Sequence, residues 1–358
     1  MDILSLVMIR KQIDQAEHIG QLRQLRDQMH EEFGRRLLFS HSLDWNRELN
    51  KAHDGLINRA ITFAQKAVAV QLGNPPVPYA FVLYGSGGRS EQTLWSDQDN
   101  GIIYGDSLNE LAASHAHGYF RVLAERISGL LMQLGYPPCT GEVACTNDQW
   151  RNTWSGYSSM LHEWLKEPNW EHVRYLLITG DMRSVYGESS LVDRLMDELL
   201  GYVAQHPIML QHMLHNTLHH KVSLGLFGQL IKERYGEDSG GVDIKYGAYI
   251  PMVNGIRLLA IEAGIRQTST EERILKLMDK GFIKEKLAQD WLEALSIALK
   301  LRSLTPFQIE EGQFTSRGKL AADGLTKKRI SELKLCLRIG NDLQKYVKKR
   351  VSREVEKG

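Results

Sequence analysis

Two aspartates, Asp97 and Asp99, stand two residues apart shortly after a small-residue turn, Gly85-Ser86-Gly87-Gly88. On an extended segment that spacing aims both carboxylates at one side. At about 5 Å and an effective dielectric near 20 their repulsion is roughly 3 kcal/mol, which a divalent cation would relieve. A hard ion such as Mg²⁺ favours carboxylate and phosphate oxygens together. Gly85 and Ser86 would let backbone N–H groups approach phosphate oxygens without a Cβ in the way. A helix starting at Gly88 or Arg89 would add its own free N–H groups, and Arg89 could supply a charge-assisted contact to a phosphate. These parts suit displacement at the α-phosphorus of a nucleoside triphosphate. Two metal ions would activate an attacking hydroxyl and stabilise the departing pyrophosphate.

Other phosphate and nucleophile motifs fail on the letters. A P-loop ends in Gly-Lys-Ser/Thr, but no lysine lies between Tyr84 and Tyr104. A dinucleotide fingerprint needs glycine where Ser90 stands, and a nucleophile elbow needs glycine where Tyr84 stands. The plain alternative is a hairpin with two solvated aspartates, which in water repel by only about 1 kcal/mol. Against it stands the coincidence of Gly-Ser after an apolar strand, Arg89-x-Glu91 and Asp-x-Asp-Asn.

The surrounding pattern supplies elements to hold these groups. Residues 8–36 read as helix, and a second helix from Asp44 to Leu72 carries Leu49, Leu56, Ile57, Ile61, Ala64 and Val68 near helical spacing. It stops at Gly73-Asn74-Pro75-Pro76. Ala80–Tyr84 reads as a buried strand, Arg89–Trp95 as a short helix, Asp97–Tyr104 as a second strand and Gly141–Thr146 as a third. A helix over 108–134 lies between the last two. From Trp150 onward nearly everything reads as helix, with a capping box at Ser269 and Glu272. The last helix has Ile330, Leu333, Leu337, Leu343 and Val347 along one stripe. The expected plan is a helical lead (1–48), a small α/β domain (49–195) and a helical C-terminal domain (196–358).

Composition fits a globular protein: of 358 residues, 42% are hydrophobic and 24% charged. The net charge of +1 gives no global field for nucleic acid or membrane. Residues 326–358 are the exception, with eleven Lys/Arg against four Asp/Glu. Three cysteines without disulfide or zinc spacing, and no signal peptide or long apolar run, point to the cytoplasm and no membrane partner.

The stretch GSGGRSEQTLWSDQDNG resembles the signature of bacterial nucleotidyltransferases that often follow cyclic-nucleotide-binding and cystathionine-β-synthase-type domains. These are similar to the uridylyltransferase of the nitrogen-regulatory PII protein and to glutamine synthetase adenylyltransferase, and share the DNA polymerase β nucleotidyltransferase fold. GYPPCTGEVACTNDQW and GDMRSVYG resemble the second half of the family's catalytic domain, and DIKYGAYIPMVNGIRLLAIEAGI with STEERI its helical C-terminal domain. The resemblance covers roughly residues 45–350. It implies an α+β fold, a small mixed sheet with helices followed by an all-α domain. It implies phosphate binding at Gly85 and Ser86, metal at Asp97 and Asp99, and a nucleotide-site role for the Arg89-x-Glu91 element, beside Gly88. The expected cofactor is Mg²⁺, two ions, with Mn²⁺ as the substitute. No sensor domain precedes the signature here, so the sensors' ligands are not expected. For the superfamily's third carboxylate two candidates stand, Glu142 on the expected third strand and Asp181 beside Arg183.

Weaker features have plainer readings. His212, His215 and His219 share a helical face, with His206 and His220 nearby; surface and packing roles are the simpler account. Asp243, Lys245 and Arg257 could reach a base or acceptor across an interdomain cleft, or form structural ion pairs. Trp150, Trp154, Trp164 and Trp170 suggest core packing, and Cys139 and Cys145 inert thiols. By analogy with the regulatory uridylyl- and adenylyltransferases, the leading expectation is transfer of a nucleoside monophosphate to a protein hydroxyl, a signalling modification. The alternatives are a catalytically silent nucleotide- and metal-binding module signalling through its helical domain, and transfer to RNA through the basic last helix.

Overall fold

The computed structural model of the protein describes residues 3–36, 43–139, 141–217, 225, 229–235, 239–305, 308–310, 313–315 and 318–356. In chain order, α1 (Ile3–Gln15), α2 (Ile19–Arg36) and α3 (Leu43–Leu72) precede β1 (Tyr79–Leu83) and the single turn α4 (Gly85–Gly88). There follow β2 (Asn100–Tyr104), α5 (Glu110–Leu134), β3 (Arg151–Thr153), α6 (Trp154–Lys166), α7 (Trp170–Thr179), β4 (Arg183–Gly187), α8 (Ser190–Gln205) and α9 (Ile208–Thr217). The remainder comprises β5 (Val242–Asp243), a π-helical turn (Lys245–Tyr249), α10 (Ile250–Glu262), α11 (Thr270–Asp279), α12 (Glu285–Ser303), β6 (Gln308–Glu310), β7 (Gln313–Thr315), β8 (Lys319–Leu320) and α13 (Lys327–Val355). The fold is α+β, with a small mixed sheet in the N-terminal half and a helical C-terminal region.

The chain forms two compact units, one drawn from Met1–Ser40, Asp44–Glu163 and Asp181–Asp197, the other chiefly from Trp164–Gly180 and Glu198–Gly358. The first holds a four-stranded sheet in the order β3-β2-β1-β4, antiparallel except for β2 with β3. Every residue of β1 and β2 is buried, the pattern of central strands covered on both faces. The apolar stripe of α3 is buried throughout, and Asn109 caps α5 by accepting the N–H of Ala112.

The helical lead is part of this unit. Arg59 on α3 donates from Nε to the Ala16 carbonyl at 2.8 Å. Arg26 on α2, 1% exposed, lies over the Tyr136 ring at 3.7 Å and donates to the Leu134 carbonyl. Because arginine cannot shed its charge, that burial commits α2 to this face.

Three local expectations are corrected. Arg89–Trp95 is not helical: the one helical turn is the glycine run itself, and Ser90 takes φ +54°, which ends it. Gly141–Thr146 is not a strand, because Glu142 at φ +59° and bonds from Ala144 N to Glu142 O and from Asn147 N to Ala144 O fold it into turns. The sheet instead uses β3 and β4, and the second strand begins at Asn100 rather than Asp97.

In the second unit α10 is buried almost all round and packs against α11 and α13. Ser269 caps α11 by accepting the N–H of Glu272, and Leu333, Leu337, Leu343 and Val347 of α13 are buried. No helix among the described residues is long and apolar enough to cross a membrane.

Candidate active site

The site grows from the end of β1. Tyr84 N–H donates to the Asp99 carbonyl at 2.9 Å, continuing the β1–β2 pairing one step beyond Leu83 and Asn100. The chain then turns at Gly85, φ +52°, into α4. A Cβ on Gly85 would stand 2.5 Å from Asp99 Oδ2, so glycine is required both by the backbone and by the carboxylate lying against it. A Cβ on Gly88 would stand 2.0 Å from the Asp181 carbonyl oxygen. The N–H groups of Gly85, Ser86 and Gly87 open the turn and have no hydrogen-bond acceptor among the described residues. They are the groups a phosphate oxygen could take.

The aspartates are held by the residue between them. Gln98 is 4% exposed; its amide donates to the Tyr136 carbonyl at 2.7 Å, and its N–H to the Pro137 carbonyl at 2.9 Å. With Gln98 pinned inward, extended alternation turns Asp97 and Asp99 to the other side. Asp97 is exposed and Asp99 half-buried. One oxygen from each and the Sγ of Cys139 all lie within 4.8 Å of one another, the one such group among the described residues. The donor set fits a divalent cation: two hard carboxylates, one open to solvent, beside a turn with unsatisfied N–H groups.

Cys139, read from the sequence as an inert thiol, lies beside both aspartates. Burial pushes its thiol up to about 12, helped by the charge of Asp99, a hydrogen bond to Asp99 and the charge of Asp97. Neither candidate third carboxylate joins the group. Glu142 is exposed on its turn, and Asp181 is 1% exposed and paired with Arg89.

Arg89 and Glu91 are drawn beneath the turn. Arg89, 4% exposed, donates from Nε to Glu91 Oε2 at 3.0 Å and from a terminal nitrogen to Asp181. Its guanidinium thus faces two buried carboxylates. Arg183 at the start of β4 donates to the carbonyls of Gly87 at 2.8 Å and Gly88 at 3.2 Å, and pairs with both oxygens of Asp54 on α3 at 2.9 Å. Two asparagines of α3 hold the segment that follows. Asn50 accepts the Gln92 N–H at 2.8 Å and donates to the Gln92 carbonyl, while Asn46 donates to the Ser90 carbonyl. The carbonyls of Gly87 and Gly88 are thus engaged by Arg183, and those of Ser90 and Gln92 by the asparagines.

The family model described as "Putative nucleotidyltransferase DUF294" matches residues 40–171. A companion model, "Putative nucleotidyltransferase substrate binding domain", matches residues 207–351. The chain belongs to this nucleotidyltransferase family. A search of curated proteins finds no match. The nucleotidyltransferase match contains the turn, both aspartates and Cys139, and ends before Asp181 and Arg183, which support the turn.

The remaining candidates have structural partners. Asp243 accepts the Tyr246 N–H at 2.7 Å at the π-helical turn, and Arg257 is buried with a terminal nitrogen 3.1 Å from Asn254 Oδ1. Lys245 Nζ lies 5.3 Å from the centre of the Tyr246 ring. His206 stacks on Tyr202, while His219 and His220 lie outside the described residues. Trp150 and Trp164 are core residues and Trp170 is largely exposed. His53 bonds the Tyr136 hydroxyl at 2.7 Å, and Asp54 pairs with Arg183.

Proposed function

We propose that this nucleotidyltransferase moves a nucleoside monophosphate from a nucleoside triphosphate to a hydroxyl on a protein, with Mg²⁺ held by Asp97 and Asp99. The N–H groups of Gly85, Ser86 and Gly87, with the Ser86 hydroxyl, take the phosphate oxygens. Two bound Mg²⁺ ions would lower the cost of deprotonating the acceptor hydroxyl and of releasing pyrophosphate. The bond formed joins the acceptor oxygen to the α-phosphorus, and the bond broken joins that phosphorus to the bridging oxygen of pyrophosphate.

The observation that carries this reading is the Asp99 carboxylate lying against the Cα of Gly85, 2.5 Å from where a Cβ would stand. That contact brings the metal-binding group to the phosphate cradle with no side chain between them. Arg89, Glu91 and Asp181 act as a buried brace under the turn rather than as nucleotide ligands, and Arg183 with Asp54 fixes its carbonyls. The region matched as a substrate-binding domain, 207–351, is where the acceptor would dock.

The test is incubation with each of four α-labelled nucleoside triphosphates, Mg²⁺ and a bacterial lysate. Label in a protease-sensitive, ribonuclease-resistant species from one preferred triphosphate is the expected result. Ribonuclease-sensitive label would move the acceptor to RNA. Tight nucleotide binding without transfer to any fraction would leave a binding module in place of an enzyme.

A further inference from the structure

We propose that Cys139 gives the Asp97–Asp99 site a soft third ligand, so that a thiophilic divalent cation of the Zn²⁺ class binds there in competition with Mg²⁺. The inference rests on the reading of Asp97 and Asp99 as metal ligands. Its basis is the way the chain returns to the site. Gln98 and Pro138 form a parallel bridge, and Gln98 N–H donates to the Pro137 carbonyl at 2.9 Å. In that register Cys139 falls beside Asp99, and both follow a residue turned the other way, so thiol and carboxylate share a side. The backbone N–H of Gly141 donates to Cys139 Sγ at 3.2 Å, fixing the sulfur from behind.

The three donor atoms lie within 4.8 Å of one another. Around one tetrahedral ion, with bonds of about 2.1 Å to oxygen and 2.3 Å to sulfur, donor atoms stand about 3.6 Å apart. Closing by about an ångström is within the reach of side-chain torsions, and Asp97 is exposed and free to swing inward. Magnesium gains little from sulfur, whereas thiolate with oxygen ligands selects the zinc group. Binding would release the thiol proton to solvent and leave a thiolate–metal bond, with no change of oxidation state. The consequence for transfer is inhibition by a thiophilic ion occupying the Mg²⁺ ligands.

The other two cysteines are buried elsewhere, Cys145 with Sγ 3.7 Å from the Ala124 carbonyl and Cys336 with Sγ 3.4 Å from that of Ala294. A metal–thiolate signal can therefore be assigned. The experiment is titration of the full chain with Cd²⁺, following the sulfur-to-cadmium ultraviolet band, with Mn²⁺ binding measured in parallel by electron paramagnetic resonance. The expected result is a saturable band, absent in Cys139→Ser, reversed by excess Mg²⁺ and lost in Asp97→Asn/Asp99→Asn. Cd²⁺ affinity should fall by at least about tenfold in Cys139→Ser, the loss that even an outer-shell change costs a metal site. In the wild-type protein, Cd²⁺ should also slow reaction of Cys139 with a disulfide reagent, which holds the test open if the variants fold poorly. No band, a band that survives the double aspartate change, or unslowed thiol reaction overturns the proposal. If Mn²⁺ binds while the cadmium signals fail, only the thiol proposal falls; if Mn²⁺ fails as well, the reading of the aspartates falls with it.

Discussion

Replacing Gly85 with alanine separates two costs that are usually confounded. The backbone there has φ +52°, so any side chain costs roughly 1–2 kcal/mol. The new Cβ would also stand 2.5 Å from Asp99 Oδ2, where ordinary contact begins at 3.4 Å. The carboxylate must retreat by about 0.9 Å, and displacement on the order of 1 Å in a reacting constellation costs about 100-fold in rate. That is about 2.7 kcal/mol of barrier, added to the stability loss. Gly73→Ala is the matched control, with φ +79° and nothing within 4 Å of its Cβ. Urea unfolding should show similar destabilisation of both variants, while Mg²⁺-dependent pyrophosphate release falls about 100-fold in Gly85→Ala alone. If Gly85→Ala keeps activity within about threefold of Gly73→Ala, the contact between turn and carboxylate is not what positions the metal.

Other expectations follow from the brace and the buried rings. Arg89→Ala strands the carboxylates of Glu91 and Asp181 in the interior and should cost about 3–5 kcal/mol in urea unfolding, with Arg89→Lys restoring only part because it cannot bridge both acids. A double-mutant cycle on Arg183→Ala and Asp54→Ala should show positive coupling in stability, and additive effects would deny their pairing a role in holding the turn. His30 is held down to about 3, mainly by burial and then by the charges of Arg26 and Arg23, and His53 is held well below its ordinary range of about 6.5. Both are neutral when folded and take up protons on unfolding, so stability is full above about pH 6.5 and declines as pH falls toward 3. Each histidine contributes up to about 1.4 kcal/mol per pH unit in that window, and His30→Gln should flatten the slope of the unfolding midpoint against pH.

The glycine turn and the acidic pair were legible because their geometry is local. Gly85 and Ser86 follow an apolar run, and the two-residue spacing of Asp97 and Asp99 means the same thing in any extended segment. Their supports were not legible, because each is a long-range fact. Arg89, expected to meet phosphate, is 4% exposed and donates to Asp181, 92 residues away, a pairing that no local pattern shows. Cys139 reaches Asp99 only through the bridge between Gln98 and Pro138. The strand Arg151–Thr153 is three residues of polar character and gives no period to read, whereas Gly141–Thr146 has the short apolar run Val143-Ala144-Cys145 of a strand but carries Glu142 at positive φ. A place for Glu142 at the metal depends on that strand, and on the turn its side chain is exposed. The α3 asparagines, Asn46 and Asn50, sit on the buried side of an amphipathic helix and give no separate signal of their bonds to residues 90 and 92.

The most direct test of the account is equilibrium binding of Mn²⁺ to the full chain with a non-hydrolysable nucleoside triphosphate, compared with Asp97→Asn/Asp99→Asn. Mn²⁺ binding that saturates and strengthens with the nucleotide is expected in the wild-type protein, and its loss in the double variant. Equal Mn²⁺ binding by the two proteins would contradict it.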